Sequence, residues 1–217
     1  MSRARYLLPL AILSLSLTIP TLAEAGKKEA GAAAEEPKLP VIEATGISEF
    51  DSVFMRAKDI HTTIDTQTAA LNDAKKGVKS AAKVADTEPL DTAMAAIKAA
   101  SAGNLDLDNS GPTPRVKAKE GAAPEVKASA NAVNKLADAA EGTLGVVKDL
   151  IPEARNLASA CIDFPAKLLK MEPSVIMTNN KKVAGNVKTT AATPDRLDLL
   201  QKAADEVFTA LKAVFAG

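Results

Sequence analysis

Apolar side chains return every seven residues through much of this chain. Phe50, Ala57, Ile64, Leu71 and Val78 are seven apart, and Val53, Ile60, Ala74 and Ala81 keep a second position, with Gln67 as its one polar member. Val126, Val133, Ala140 and Val147 form another set, beside Ala130, Ala137, Leu144 and Ile151. Near the C-terminus Leu197, Leu200, Ala204, Val207, Leu211 and Val214 make a two-position seam, which Phe208 and Phe215 widen. This spacing puts a narrow apolar stripe on one side of an α-helix. A stripe left in water forfeits ~25 cal/mol for every Å² it could bury. Such helices must therefore pack on one another. The chain is predicted to be all-α, an elongated antiparallel helical bundle with shallow crossings and coiled-coil-like packing.

Composition supports the same class. The chain is rich in alanine, the strongest helix former, with Leu, Lys, Glu and Asp filling much of the rest. Runs that alternate with period two are not evident. The first long helix is expected over about 48–85, opened by Ser48 as cap with Asp51 three residues on. A second follows Pro89, with Leu90, Met94 and Ile97 on one face, and ends at Gly103. A third starts at Pro124. Pro152 is expected to kink or break it, because proline has no amide hydrogen and collides with the preceding turn. Shorter helical pieces follow to about residue 171, interrupted by Pro165. A less regular helix spans 173–192, and a last one is capped by Thr193 with Pro194 in its first turn.

The N-terminus reads as an export signal. Arg3 and Arg5 precede an apolar stretch from Tyr6 to Leu17, and Ala23-Glu24-Ala25 offers a cleavage site. No cysteine stands at that point and the arginines are not adjacent, so neither a lipid anchor nor a twin-arginine signal is expected. Residues 1–25 are thus a signal peptide, 26–46 a flexible tether, and 47–217 a helical bundle domain with a loop at about 103–123. Removing the signal takes away Arg3, Arg5 and Glu24 from 27 basic and 27 acidic residues, leaving a balance of −1. It also removes Tyr6, the one tyrosine of a chain without tryptophan. A neutral field with few aromatic platforms is unsuited to nucleic acid. No later apolar run approaches the ~18 residues of a membrane span. The expected destination is the bacterial periplasm or the exterior.

Few residues are arranged for chemistry. Asp106, Asp108 and Ser110, followed by Gly111, match the first half of a calcium loop. Its second half fails: Lys117 stands where a bidentate glutamate belongs, and Pro112 and Pro114 stiffen the path. A turn is the plainer reading, with a cation site as the alternative. Cys161 is the sole cysteine, so it sits in a helix seam or links two copies. His61 is the sole histidine and has no second one to pair with in an acid–base site. No phosphate loop or serine elbow is present, and no cofactor or catalytic residue is expected.

These features point to an exported, non-enzymatic helical protein of the bacterial envelope that binds a protein partner or a second copy. Leu197, Leu200, Val207, Phe208, Leu211 and Phe215 are the candidate interaction seam. The alternative is a periplasmic carrier or sensor of lipid or another apolar ligand, since amphipathic helices joined by prolines can open onto such surfaces. The lack of tryptophan and tyrosine argues against it.

Overall fold

The computed structural model describes residues 39–111 and 113–216. The expected signal peptide and residues 26–38 of the expected tether lie outside the described residues. In chain order the elements are α1 (Ser48–Ala82), α2 (Leu90–Ala100), β1 (Leu105–Asp108), β2 (Arg115–Ala118), α3 (Pro124–Cys161), α4 (Phe164–Leu168), α5 (Pro173–Ala191) and α6 (Thr193–Phe215). The structure is mostly helical, as the seven-residue spacing requires.

The first column of that spacing is buried throughout: Phe50, Ala57, Ile64, Leu71 and Val78 all face the interior of α1. Three core clusters lie along it. Phe50, Phe54 and Ala57 join Cys161 of α3; Ile60 and Ile64 join Val147 and Ala154; Leu71 and Val78 join Val133, Leu136 and Ala140. Numbers rise along α1 while they fall along α3, so the two helices run antiparallel. Arg56 paired with Glu153, and the Thr143 hydroxyl donating to Gln67 Oε1 at 3.2 Å, keep the same order. Leu197 and Leu200 of α6 belong to the middle cluster, and Ala204, Val207 and Leu211 to the one that includes α2. Alanine and valine at these positions let the backbones approach closely, which is where dispersion contacts accumulate.

Helix ends depart from expectation. No described helix has a side-chain cap at its N-terminus. Ser48 is not the cap of α1; Ile47 takes that position, and Asp51 reaches back instead. Its carboxylate accepts from the Thr45 and Gly46 amides at 2.8 and 2.9 Å and from the Thr45 hydroxyl. Partial desolvation pushes the Asp51 carboxyl up, but these donors outweigh it and hold its pKa below the usual value. The far end of α1 closes with left-handed Lys83, φ 57°, whose neighbour Val84 donates to the Lys79 carbonyl at 3.1 Å.

Pro152 does not break its helix. α3 runs for 38 residues through it. Pro152 and Lys148, whose carbonyl loses its donor, are both exposed, so water can serve that oxygen. Val147 and Ala154 remain buried on the opposite side and hold the two halves in line.

The expected loop at 103–123 contains an antiparallel hairpin, with Leu105 opposite Ala118, Asp106 opposite Lys117, Leu107 opposite Val116 and Asp108 opposite Arg115. Leu105 and Val116 enter the core beside α2 and α6. The alternation Leu105-x-Leu107 and Val116-x-Ala118 is a period-two pattern after all, only four residues long in each strand. Residues 39–46, assigned to the tether, are not loose either. They form a strap along α5, with Ile42 buried in the cluster of Phe50 and Phe54.

Candidate functional site

The residues singled out by sequence do not converge. Leu197, Leu200, Val207, Leu211 and Phe215 are buried within this chain's own core, and Phe208 is half-buried against it. The candidate interaction seam is therefore occupied by α1, α2 and α3. A partner helix could reach it only by displacing them, because one stripe cannot be covered twice.

Cys161 is a free thiol, 0% exposed. It donates to the Ala158 carbonyl at 3.2 Å, and burial pushes its pKa up. A disulfide between two copies cannot form while the thiol is enclosed. Beside it three phenylalanines meet. Phe50 stacks on Phe164 with centroids 4.2 Å apart, and Phe54 meets Phe164 edge-on at 5.4 Å. Leu168, Ile42 and Val183 close the cluster.

Asp106 and Asp108 sit two apart on β1, opposite Lys117 and Arg115. Asp106 pairs with Lys119 at 3.5 Å. Asp108 accepts from the Ser110 amide and hydroxyl at 2.9 and 2.6 Å, and these bonds, the hydroxyl's first, hold its pKa below the usual value. The strand geometry thus surrounds the two carboxylates with cations and a hydroxyl rather than wrapping them around an ion. Among the described residues no group of three His, Cys, Asp or Glu side chains is placed to hold a metal.

Two sites escaped the sequence reading. The first surrounds His61, where α1 meets the corner between α5 and α6. Its Nε2 lies 3.0 Å from the Thr193 hydroxyl and 3.3 Å from the Thr189 carbonyl. Arg196 donates to its Nδ1 and, through the other amino group, to Asp65 Oδ1 at 2.8 Å. Burial, then the Arg196 charge, lower the His61 pKa, so the ring is held neutral. Thr193, expected to cap α6, spends its hydroxyl here and on the Thr189 carbonyl. Asp65 standing one helical turn after His61 was the available signal.

The second is a device used twice. Asn134 of α3 accepts from the Val116 amide at 2.8 Å and donates to the Val116 carbonyl at 2.9 Å. Asn186 of α5 does the same to Glu43, at 3.1 and 2.7 Å. Each carboxamide imitates a peptide unit and satisfies the outer edge of an extended segment. Arg115 fixes the hairpin further, bridging Asp138 at 2.8 Å and Glu141 at 2.6 Å.

Among the described residues five large apolar side chains are exposed, and four of them, Val41, Ile162, Leu169 and Met177, follow or precede a member of the phenylalanine cluster in sequence. Met177 is 86% exposed. On α5 it begins a stripe with Lys181, Ala184 and Lys188, all exposed. Compared with family models, with curated proteins and with solved structures, the chain finds no match in any of the three.

Proposed function

We propose that the chain is an exported, non-enzymatic helical interaction protein of the bacterial envelope, folded as an elongated antiparallel bundle with coiled-coil-like packing. In this reading residues 1–25 direct export and the remainder works in the periplasm or outside the cell. The partner is a protein or a second copy. It binds the outer surface near α4 and α5, since the α6 seam is spent internally. The observation that carries the reading is the exposure of Val41, Ile162, Leu169 and Met177, each next in sequence to a residue of one core cluster. Exposed apolar side chains scattered singly need no explanation, whereas grouped ones mark contact surfaces.

Co-purification from an envelope extract tests this, using the wild-type chain and an Ile162→Glu/Met177→Glu variant. A partner kept by the first and lost by the second, or a dimer lost in the same way by sedimentation velocity, supports the reading. Identical companions and a monomer in both cases overturn it.

A second reading, carrier or sensor of lipid, rests on the α5 stripe. Lys170, Lys181 and Lys188 have no ion-pair partner among the described residues. Unpaired lysines beside Met177 and Leu169 resemble a face that lies on anionic headgroups. Flotation with vesicles containing phosphatidylglycerol separates the two readings. Among the described residues no helix is long and apolar enough to cross a membrane.

A further inference from the structure

The long helices are not held equally. α1 buries seven residues, all apolar. α6 buries seven, of which only Thr193 is polar. α5 buries Asn179, Val183, Asn186, Thr189 and Thr190, so Val183 is its single fully enclosed apolar residue. Val175, Ile176 and Val187 add half-buried contact to the phenylalanine cluster. Burying carboxamides and hydroxyls returns little free energy even when they are bonded, and it costs when they are not. Two are not: Asn179 Oδ1 and Thr190 Oγ1 are enclosed without a partner, and Thr190 is 0% exposed.

The intrinsic helix preference of α5 is low for the same reason. In PSVIMTNNKKVAGNVKTTA all five buried residues are β-branched or asparagine, and Gly185 lies in its body. Asparagine, threonine and valine are all poorer helix formers than alanine, and glycine is ~1 kcal/mol poorer. The helix is also bounded as a separate piece. Pro173 opens it, and Ala192 alone separates it from α6, which has Pro194 in its first turn. Its hydrogen bonds to the strap come from its side chains and include the Asn186 pair with Glu43 and the Thr189 hydroxyl donating to the Pro40 carbonyl at 2.7 Å.

We propose that α5 is a detachable cover: it swings off the strap and off the Phe50–Phe54–Phe164 cluster while α1, α2, α3 and α6 stay packed. Opening of this kind is local, and its free energy is smaller than that of global unfolding. The face uncovered is aromatic and apolar, and it includes the chain's one thiol. The inference holds for either reading of the function, and the experiment measures opening alone.

Cys161 is a built-in reporter. Its reaction with a maleimide under native conditions, followed as urea is raised, gives the surface exposed on opening. The expected rate depends on urea far less steeply than global unfolding does. Hydrogen exchange should show the α5 amides less protected than those of α1, α3 and α6. A lock tests causation. A side chain built at Gly185 would place its Cβ 3.5 Å from the Pro40 Cβ, within the ~3.5–4.5 Å span of a disulfide. In the oxidised Pro40→Cys/Gly185→Cys variant, labelling of Cys161 should slow at least tenfold and recover on mild reduction. Should that pair fail to oxidise, Thr190→Val removes an unsatisfied hydroxyl without changing shape and should slow labelling about tenfold. A labelling rate with the full urea dependence of global unfolding overturns the proposal. So does an unchanged rate in the locked or the valine variant.

Discussion

Arg196 on α6 donates to Nδ1 of His61 on α1, and this fixes the imidazole as the Nε2–H tautomer. The Nε2 proton then points at the Thr193 hydroxyl and the Thr189 carbonyl. A proton added at Nδ1 would face a guanidinium instead of accepting from it. Asp65, the acid that acts on this group, is already engaged by Arg196 at 2.8 Å.

The pH dependence follows in sign. Burial and the Arg196 charge lower the folded-state pKa of His61 below its ordinary 6.5. Below that ordinary value the unfolded chain binds a proton that the folded chain refuses, so stability is lost as pH falls. The urea midpoint should decline between about pH 7.5 and 5, and His61→Gln should flatten that decline. Asp51, Asp108, Glu141 and Glu153 also have lowered pKa values, but as carboxyls they act mainly below about pH 5.5 and leave most of this window to His61. An unchanged slope in the glutamine variant would remove His61 as its source.

Phe164 should be the most costly residue to truncate among those named here. It is buried, stacked on Phe50 and edge-on to Phe54. Phe164→Ala should lower stability by about 3–5 kcal/mol in urea titration. By contrast Arg56→Ala, which breaks an exposed pair with Glu153, should cost less than about 1 kcal/mol.

Asn134 is a stringent test of the hairpin. Asn134→Ala strands both the amide and the carbonyl of buried Val116. The expected loss is about 1–3 kcal/mol, with faster hydrogen exchange at Val116 and at its strand neighbours. Asn134→Asp should fail to rescue, because a carboxylate accepts from the amide but cannot donate to the carbonyl.

Pro152 offers a gain. It lies in the body of α3 with its side chain in solvent. Pro152→Ala restores a donor for the Lys148 carbonyl and should raise stability by about 1–2 kcal/mol, after allowing for the freer unfolded chain. A thermal melt that moves downward would mean the proline is built into the packing.

The calcium alternative is also decidable. Asp106 and Asp108 are opposed by Lys117, Lys119 and Arg115. Millimolar calcium should therefore leave the melting temperature where it is and give no heat of binding. A calcium-dependent rise, abolished by Asp108→Asn, would restore the site.

The helices were legible because their signal is long. Phe50 to Val78 repeats one position five times, and each member is buried as expected. The hairpin was not, because each strand holds only two alternations, too few to stand out from an alanine-rich background. The asparagine devices were invisible for a different reason. Asn134 and Asn186 weaken a helix locally, and their worth lies in segments 18 and 143 residues away. Apolar spacing likewise says that Leu197 to Phe215 must be covered without saying by whom. The cover proves to be the chain itself.

The strap imposes an order of assembly. Pro40 and Glu43 bond to Thr189 and Asn186, almost the full span of the described chain away. A polypeptide that emerges N-terminus first holds those partners apart until nearly everything else has appeared, and contacts so distant in sequence are slow to close. The strap is consequently made before every helix of the body and is among the last segments to settle, so the body of helices can mature before the strap docks.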